Sequence, residues 1–156
     1  MTLPTAVVVA IVAFVLMEPV TALMHRFVMH GIGRGLHRSH HRPNGSRFEA
    51  NDWFPVMFGS IVMLGLWAGF NLDGLAILVP VGVGITAYGV AYALVHDGWI
   101  HRRVGWFDGR HVAVLDHLAD AHRIHHLRNG APFGMLWPVV PRDLRGSAGG
   151  LPDPSC

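Results

Sequence analysis

Long apolar blocks alternate along the chain with short blocks dense in Arg and His. Leu3 to Met24 is apolar apart from Pro4, Glu18 and Pro19. Phe54 to Phe70 and Leu75 to Val95 carry no charge. A membrane-crossing helix needs about 20 mostly apolar residues, so each block predicts one transmembrane helix. The first block lacks the basic leader and small-residue cleavage site of a signal peptide and reads as a retained span. Asn71 to Gly74 is short and turn-like, so the second and third spans form a tight hairpin. Gly65, Gly69, Gly82, Ala87 and Gly89 suit the close approach that membrane helices favour. The general abundance of Gly in such helices accounts for them equally well.

The C-terminal third is less apolar. Asp108 to His126 predicts a helix on the membrane surface, with Val112, Leu115, Leu118 and Ala119 on one side. Ala131 to Pro141 reads as an interfacial loop. The expected fold is all-α: an integral membrane helical bundle of about three transmembrane helices with a cytoplasmic histidine-rich metal-binding layer. Residues 1–145 form a single domain and residues 146–156 a flexible tail.

Composition sharpens this. Of 156 residues, 51% are hydrophobic and 14% charged, against about 25% charged in soluble domains. Mean hydropathy is +0.37. A disordered tail, a nucleic-acid-binding arm and a disulfide scaffold are excluded, and the single Cys156 has no internal partner. All 12 basic residues are Arg. Arg26, Arg34, Arg38, Arg42 and Arg47 follow the first span, and the other seven follow the third. The N-terminus and the 71–74 turn hold none. The positive-inside rule then puts the N-terminus outside and both Arg-bearing segments in the cytoplasm of a cell with this inner membrane.

The chain also carries 12 His, and ten of them fall into four clusters. His25 and His30 form HxxxxH; His37, His40 and His41 form HxxHH. His96 and His101 repeat the first spacing, and His122, His125 and His126 the second. On an α-helix i, i+3 and i+4 share a face, so each HxxHH presents three imidazoles to one point. An i, i+5 pair is offset by roughly 140° on such a helix. It converges only by straddling a site or if the helix ends between the two. Gly31, Gly33 and Gly35 predict such an ending. The topology brings all four clusters to one layer at the inner membrane face.

So many imidazoles repel one another when protonated, and are costly to bury unpaired. A metal centre resolves both problems, and ten His suit two ions with four or five ligands each. Carboxylate-bridged di-iron bundles use Glu-x-x-His, which is absent, and only Glu49 lies near a cluster. Asp97 and Asp120 are candidates to orient metal-bound imidazoles. His111 and His117 read as solvated helix positions. Glu18, an intramembrane carboxylate, is a functional candidate by default. Asn51 and Asp52 are candidates to add an oxygen ligand or to cap the second span at its start, and capping is the plainer account. Phe48, Trp53 and Phe54 read as interfacial anchors. Gly82-Val83-Gly84-Ile85-Thr86-Ala87 matches a dinucleotide-binding pattern. It lies inside a charge-free span with no strand before it, and fails the context test. Reducing equivalents must therefore come from another protein.

HRFVMHGIGRGLHRSHHRP, EANDWF, YGVAYALVHDGWIHRR and AHRIHH resemble the bacterial β-carotene 3-hydroxylases of the fatty acid hydroxylase superfamily, which are membrane di-iron enzymes. The resemblance runs from about Met24 to Pro141; Val104 to Leu118 departs from the family's usual link. It implies that His25, His30, His37, His40, His41, His96, His101, His122, His125 and His126 bind two iron ions. It further implies O2-dependent hydroxylation at C3 of a β-ionone ring, taking β-carotene to β-cryptoxanthin and then zeaxanthin, with ketolated rings accepted by related members. Electrons are expected from a ferredoxin and its reductase. Such a carotenoid substrate would enter from the bilayer. The near alternative is a fatty acyl or sterol hydroxylase or desaturase with the same centre. A membrane metal or haem carrier would place more ionisable residues within the spans. A zinc hydrolase needs only about three protein ligands.

Overall fold

The computed structural model describes residues 1–42 and 48–145; the tail expected at 146–156 lies outside the described residues. Among the described residues every regular element is helical. Three helices are long and apolar enough to cross a membrane. The chain groups into two compact units.

The first unit contains Met1–Met17 and Asp52–Ala91. Its elements are the N-terminal part of α1 (Leu3–Met24), then α3 (Trp53–Asn71) and α4 (Leu78–Ala93); α2 belongs to the second unit. Helix α1 buries none of its residues. An apolar surface all round is what a helix immersed in lipid needs. The helices meet where side chains are smallest. A Cβ on Gly84 would collide with the Ala10 carbonyl and lie 2.8 Å from Ala13 Cβ, so α4 rests directly on the backbone of α1. A Cβ on Gly82 would come within 2.6 Å of Leu66 Cδ2, and one on Gly69 within 2.9 Å of Val79 Cγ2. Gly65 and Gly89 have open space. The apparent dinucleotide motif is thus a helix-packing surface. Phe14 and Tyr88 add an edge-to-face contact with ring centroids 5.7 Å apart.

The second unit contains Glu18–Asn51 and the chain from Tyr92 onward. Its helices are α2 (Arg34–His41) and α5 (Ala113–Arg128), the latter closed by Asn129 in the left-handed conformation, φ 52°. Helix α5 starts at Ala113 rather than at Asp108, because Asp108 (ψ 133°) and Val112 are extended and Gly109 takes a positive φ of 69° between them. Trp99, Ile100 and Met135 form the core, with Tyr92, Val95, Phe107, Leu115, Ala119 and Leu136 packed on it. Leu115 and Ala119 therefore face inward as expected, and Leu118 is buried, whereas Val112 is exposed. Gly98 makes room for this core, since its Cβ would lie 3.0 Å from the Phe107 ring.

Both HxxxxH motifs lie where an α-helix widens into a π-helix. Helix α1 continues as π over His25–Ile32, and α4 as π over Leu94–Ile100. The His101 N–H donates to the His96 carbonyl at 2.9 Å, and Gly33 to Val28 at 2.7 Å. Both are i→i+5 bonds, the π-helical pattern. Residues five apart then lie one above the other. The expected ending between His25 and His30 does not occur. The helix widens through both residues and kinks only at Gly31, which is non-helical at φ −100°, ψ −112°. The anchor reading of Phe54 fails as well: it is buried, while Phe48 and Trp53 are exposed.

Candidate metal centre

The widened turns bring each i, i+5 pair together. Ring centroids are 5.1 Å apart for His25 and His30, and 4.6 Å for His96 and His101. The HxxHH motifs on α2 and α5 behave differently from expectation, because each divides between two groups. Successive helix residues are about 100° apart, so three His fan out too widely for one point. The ligand atoms of His25, His30, His37, His41 and His125 lie within 4.8 Å of one another. Those of His40, His101, His122 and His126 form a second such group. The i, i+4 pair of α2 joins the first group and that of α5 the second, while His40 and His125 cross over. His96 Nε2 lies 3.0 Å from His40 Nε2, beside the second group. His41 and His126 stack at 4.4 Å and link the groups.

Hydrogen bonds fix which nitrogen faces inward. His25 Nδ1 donates to the Phe133 carbonyl at 3.1 Å, and His37 Nδ1 to Asn51 Oδ1 at 2.7 Å. His125 Nδ1 donates to the Gly130 carbonyl at 2.6 Å. In the second group His40 Nδ1 faces Glu49 Oε2 at 3.3 Å, and beside it His96 Nδ1 faces Asp97 Oδ1 at 3.1 Å. A neutral imidazole carries one N–H, so each of these rings turns a bare Nε2 lone pair inward. His25 and His37 then oppose two lone pairs at 3.1 Å, and His40 and His96 two at 3.0 Å. Such pairs repel unless a cation lies between them. Nδ1 bonded outward and Nε2 bare inward is the usual arrangement of metal-bound His. The donor set fits a divalent transition metal.

Burial favours the neutral form of the grouped imidazoles on α2 and α5. It lowers His37 and His41 to about 4, each further depressed by neighbouring imidazoles, although the Asn51 bond pulls His37 back up. Burial lowers His125 to about 3, followed in size by the effect of His41. His40, His122 and His126 are pushed well below the usual imidazole range, again chiefly by burial. Neutral imidazole is the form that binds metal.

Other candidates fall into place around the groups. His111 and His117 are exposed on or near α5, away from both. Asp97 meets His96 and also Arg103, whose Nη1 is 3.3 Å away. Asp120 instead pairs with Arg123 at 2.6 Å, so its place is on the outer side of α5. Asn51 does not cap α3; its side chain holds His37, and Asp52 occupies the cap position without a side-chain cap bond. The Gly130 and Phe133 carbonyls were invisible to sequence reasoning, because a backbone acceptor has no residue type to announce it. Phe133 also covers the first group, its ring 5.4–5.6 Å from those of His25, His30 and His125.

The family model described as fatty acid hydroxylase matches residues 10–143. The chain belongs to the fatty acid hydroxylase family. A beta-carotene hydroxylase of Pantoea ananas is 39% identical over 125 residues, 78% of this chain and 70% of that protein. A beta-carotene hydroxylase of Pseudescherichia vulneris is 37% identical over 143 residues, 88% of this chain and 79% of that protein. A chloroplastic beta-carotene 3-hydroxylase of Haematococcus lacustris is 38% identical over 135 residues, 83% of this chain but 41% of its own longer one. No solved structure matches the chain. This member of the family is a hydroxylating enzyme, and its two His groups are suited to metal.

Proposed function

We propose that the chain hydroxylates carotenoid β-ionone rings at C3, with O2 as co-substrate and two iron ions held by the two His groups. The carrying observation is the pair of interleaved all-imidazole groups with bare Nε2 atoms facing each other. His25, His30, His37, His41 and His125 would hold one ion. His40, His101, His122 and His126, with His96 beside them, would hold the other. Bound there, the irons would supply the activation of O2 that an unreactive ring C–H bond requires. One oxygen atom enters the C–H bond; the other leaves as water with two electrons and two protons.

The chain's own residues contribute position and cover. Phe133, Gly130, Asn51, Glu49 and Asp97 hold five imidazoles in one tautomer and one orientation. Phe133 covers the first group on the side of His25, His30 and His125. The three apolar helices suit a chain that takes a hydrocarbon rod from the bilayer. In this reading the N-terminus is outside an inner membrane, and the His groups and C-terminus are cytoplasmic. A ferredoxin with its reductase delivers the electrons. The substrate assignment leans on the names of the relatives; the family's own description makes an acyl chain the second reading.

Pigment analysis of a bacterium that accumulates β-carotene tests the proposal. Expression should yield mono- and dihydroxylated pigment that disappears with His125→Ala. Unchanged β-carotene, with membrane protein confirmed by immunoblot and a redox partner supplied, would overturn the carotenoid assignment.

A further inference from the structure

We infer that Glu18 is a positioning residue for the five-His group, acting through the loop at 130–137; this rests on the reading of that group as a metal site. Glu18 lies seven residues before His25 on α1, about 10 Å along the helix axis. Its carboxylate accepts three consecutive backbone N–H groups: Met135 at 2.8 Å, Leu136 at 3.0 Å and Trp137 at 2.9 Å. Consecutive N–H groups converging on one anion form a nest, and charge-assisted bonds of this kind are strong. The neighbouring Gly134 is required for it, since a Cβ there would lie 2.7 Å from Glu18 Oε1.

The same loop supplies both backbone acceptors of the metal site. The Gly130 carbonyl takes the His125 Nδ1–H and the Phe133 carbonyl the His25 Nδ1–H. A carboxylate inside a span is thereby satisfied, and its pull on residues 135–137 sets two carbonyls a few residues upstream, Gly130 and Phe133, which in turn hold His125 and His25. The connection is selective. On the other side, His40 and His96 are oriented by the carboxylates of Glu49 and Asp97. Glu18 thus acts on one ion of two.

Cobalt(II) titration of the metal-stripped, full-length protein in detergent tests this, read by ligand-field absorption. The unsubstituted chain should take up two ions. In Glu18→Gln one ion should keep its affinity and the other weaken about 10–100-fold, the usual effect of losing an orienting partner. Gly134→Ala, which attacks the nest from the loop side, should weaken the same ion, and it decides the matter if Glu18→Gln does not accumulate. Asp120→Asn should change neither. The inference is overturned if both ions keep their affinity in Glu18→Gln and Gly134→Ala, or if both weaken together. An unsubstituted chain that takes up no cobalt would overturn the metal reading itself.

Discussion

Asn51 Oδ1 accepts the His37 Nδ1–H at 2.7 Å, which turns the His37 Nε2 toward that of His25. Asn51→Leu removes this acceptor while keeping similar bulk. Metal affinity at the first group should fall about 10–100-fold. Were Asn51 only a helix cap, the loss would be about 1 kcal/mol of stability with metal affinity unchanged. Parallel metal titration and thermal unfolding separate the two.

Acid should loosen the metal-free protein in a defined window. His37 and His41 fall to about 4 and His125 to about 3 in the folded state, from 6.5. The unfolded chain therefore binds more protons than the folded one between these values, so stability rises with pH there. Thermal unfolding of metal-free protein should be insensitive to these groups above about pH 7. It should shift steadily downward as pH falls from 6.5 toward 4. A melting temperature that rises on acidification would contradict the burial of neutral imidazoles.

Helix packing in the first unit yields a paired test. Gly84→Ala drives a Cβ into the α1 backbone, so it should lower the melting temperature in detergent. Gly89→Ala meets open space. It should be neutral or stabilising by about 0.5–1 kcal/mol, since Ala favours helix over Gly.

Histidines inside and outside the groups should separate sharply. His40→Ala and His125→Ala should abolish turnover. His111→Ala and His117→Ala are exposed changes, expected within about 0.5 kcal/mol in stability and with turnover retained. Pigment formation by the four variants, at matched protein levels, is the check.

Much of this is legible because apolar length and His spacing are direct consequences of lipid thickness and metal coordination. The expected first span, Leu3 to Met24, is α1 to the residue. Nine of the ten clustered His fall into two groups with His96 beside them, and this partition does not follow from face-sharing alone: a 100° fan reaches two points, not one. The i, i+5 pairs diverge on an α-helix, and the π-helical widening that aligns them leaves no mark in composition. Gly84 falls within the failed dinucleotide pattern, while its role is steric. The local context of Asn51 is the start of a helix, but its partner lies 14 residues back. The sequence around Glu18 names no partner, because its partners are backbone amides more than 100 residues away. Local pattern reveals elements and donor types. Long-range hydrogen bonds to backbone atoms have no sequence signature.

The most direct test supplies 18O2 to purified, iron-loaded protein with β-carotene, a ferredoxin and its reductase. The account expects two irons per chain and one 18O atom in every new C3 hydroxyl, with none from labelled water. Label arriving from water, or no hydroxylated product from protein carrying both irons, would contradict it.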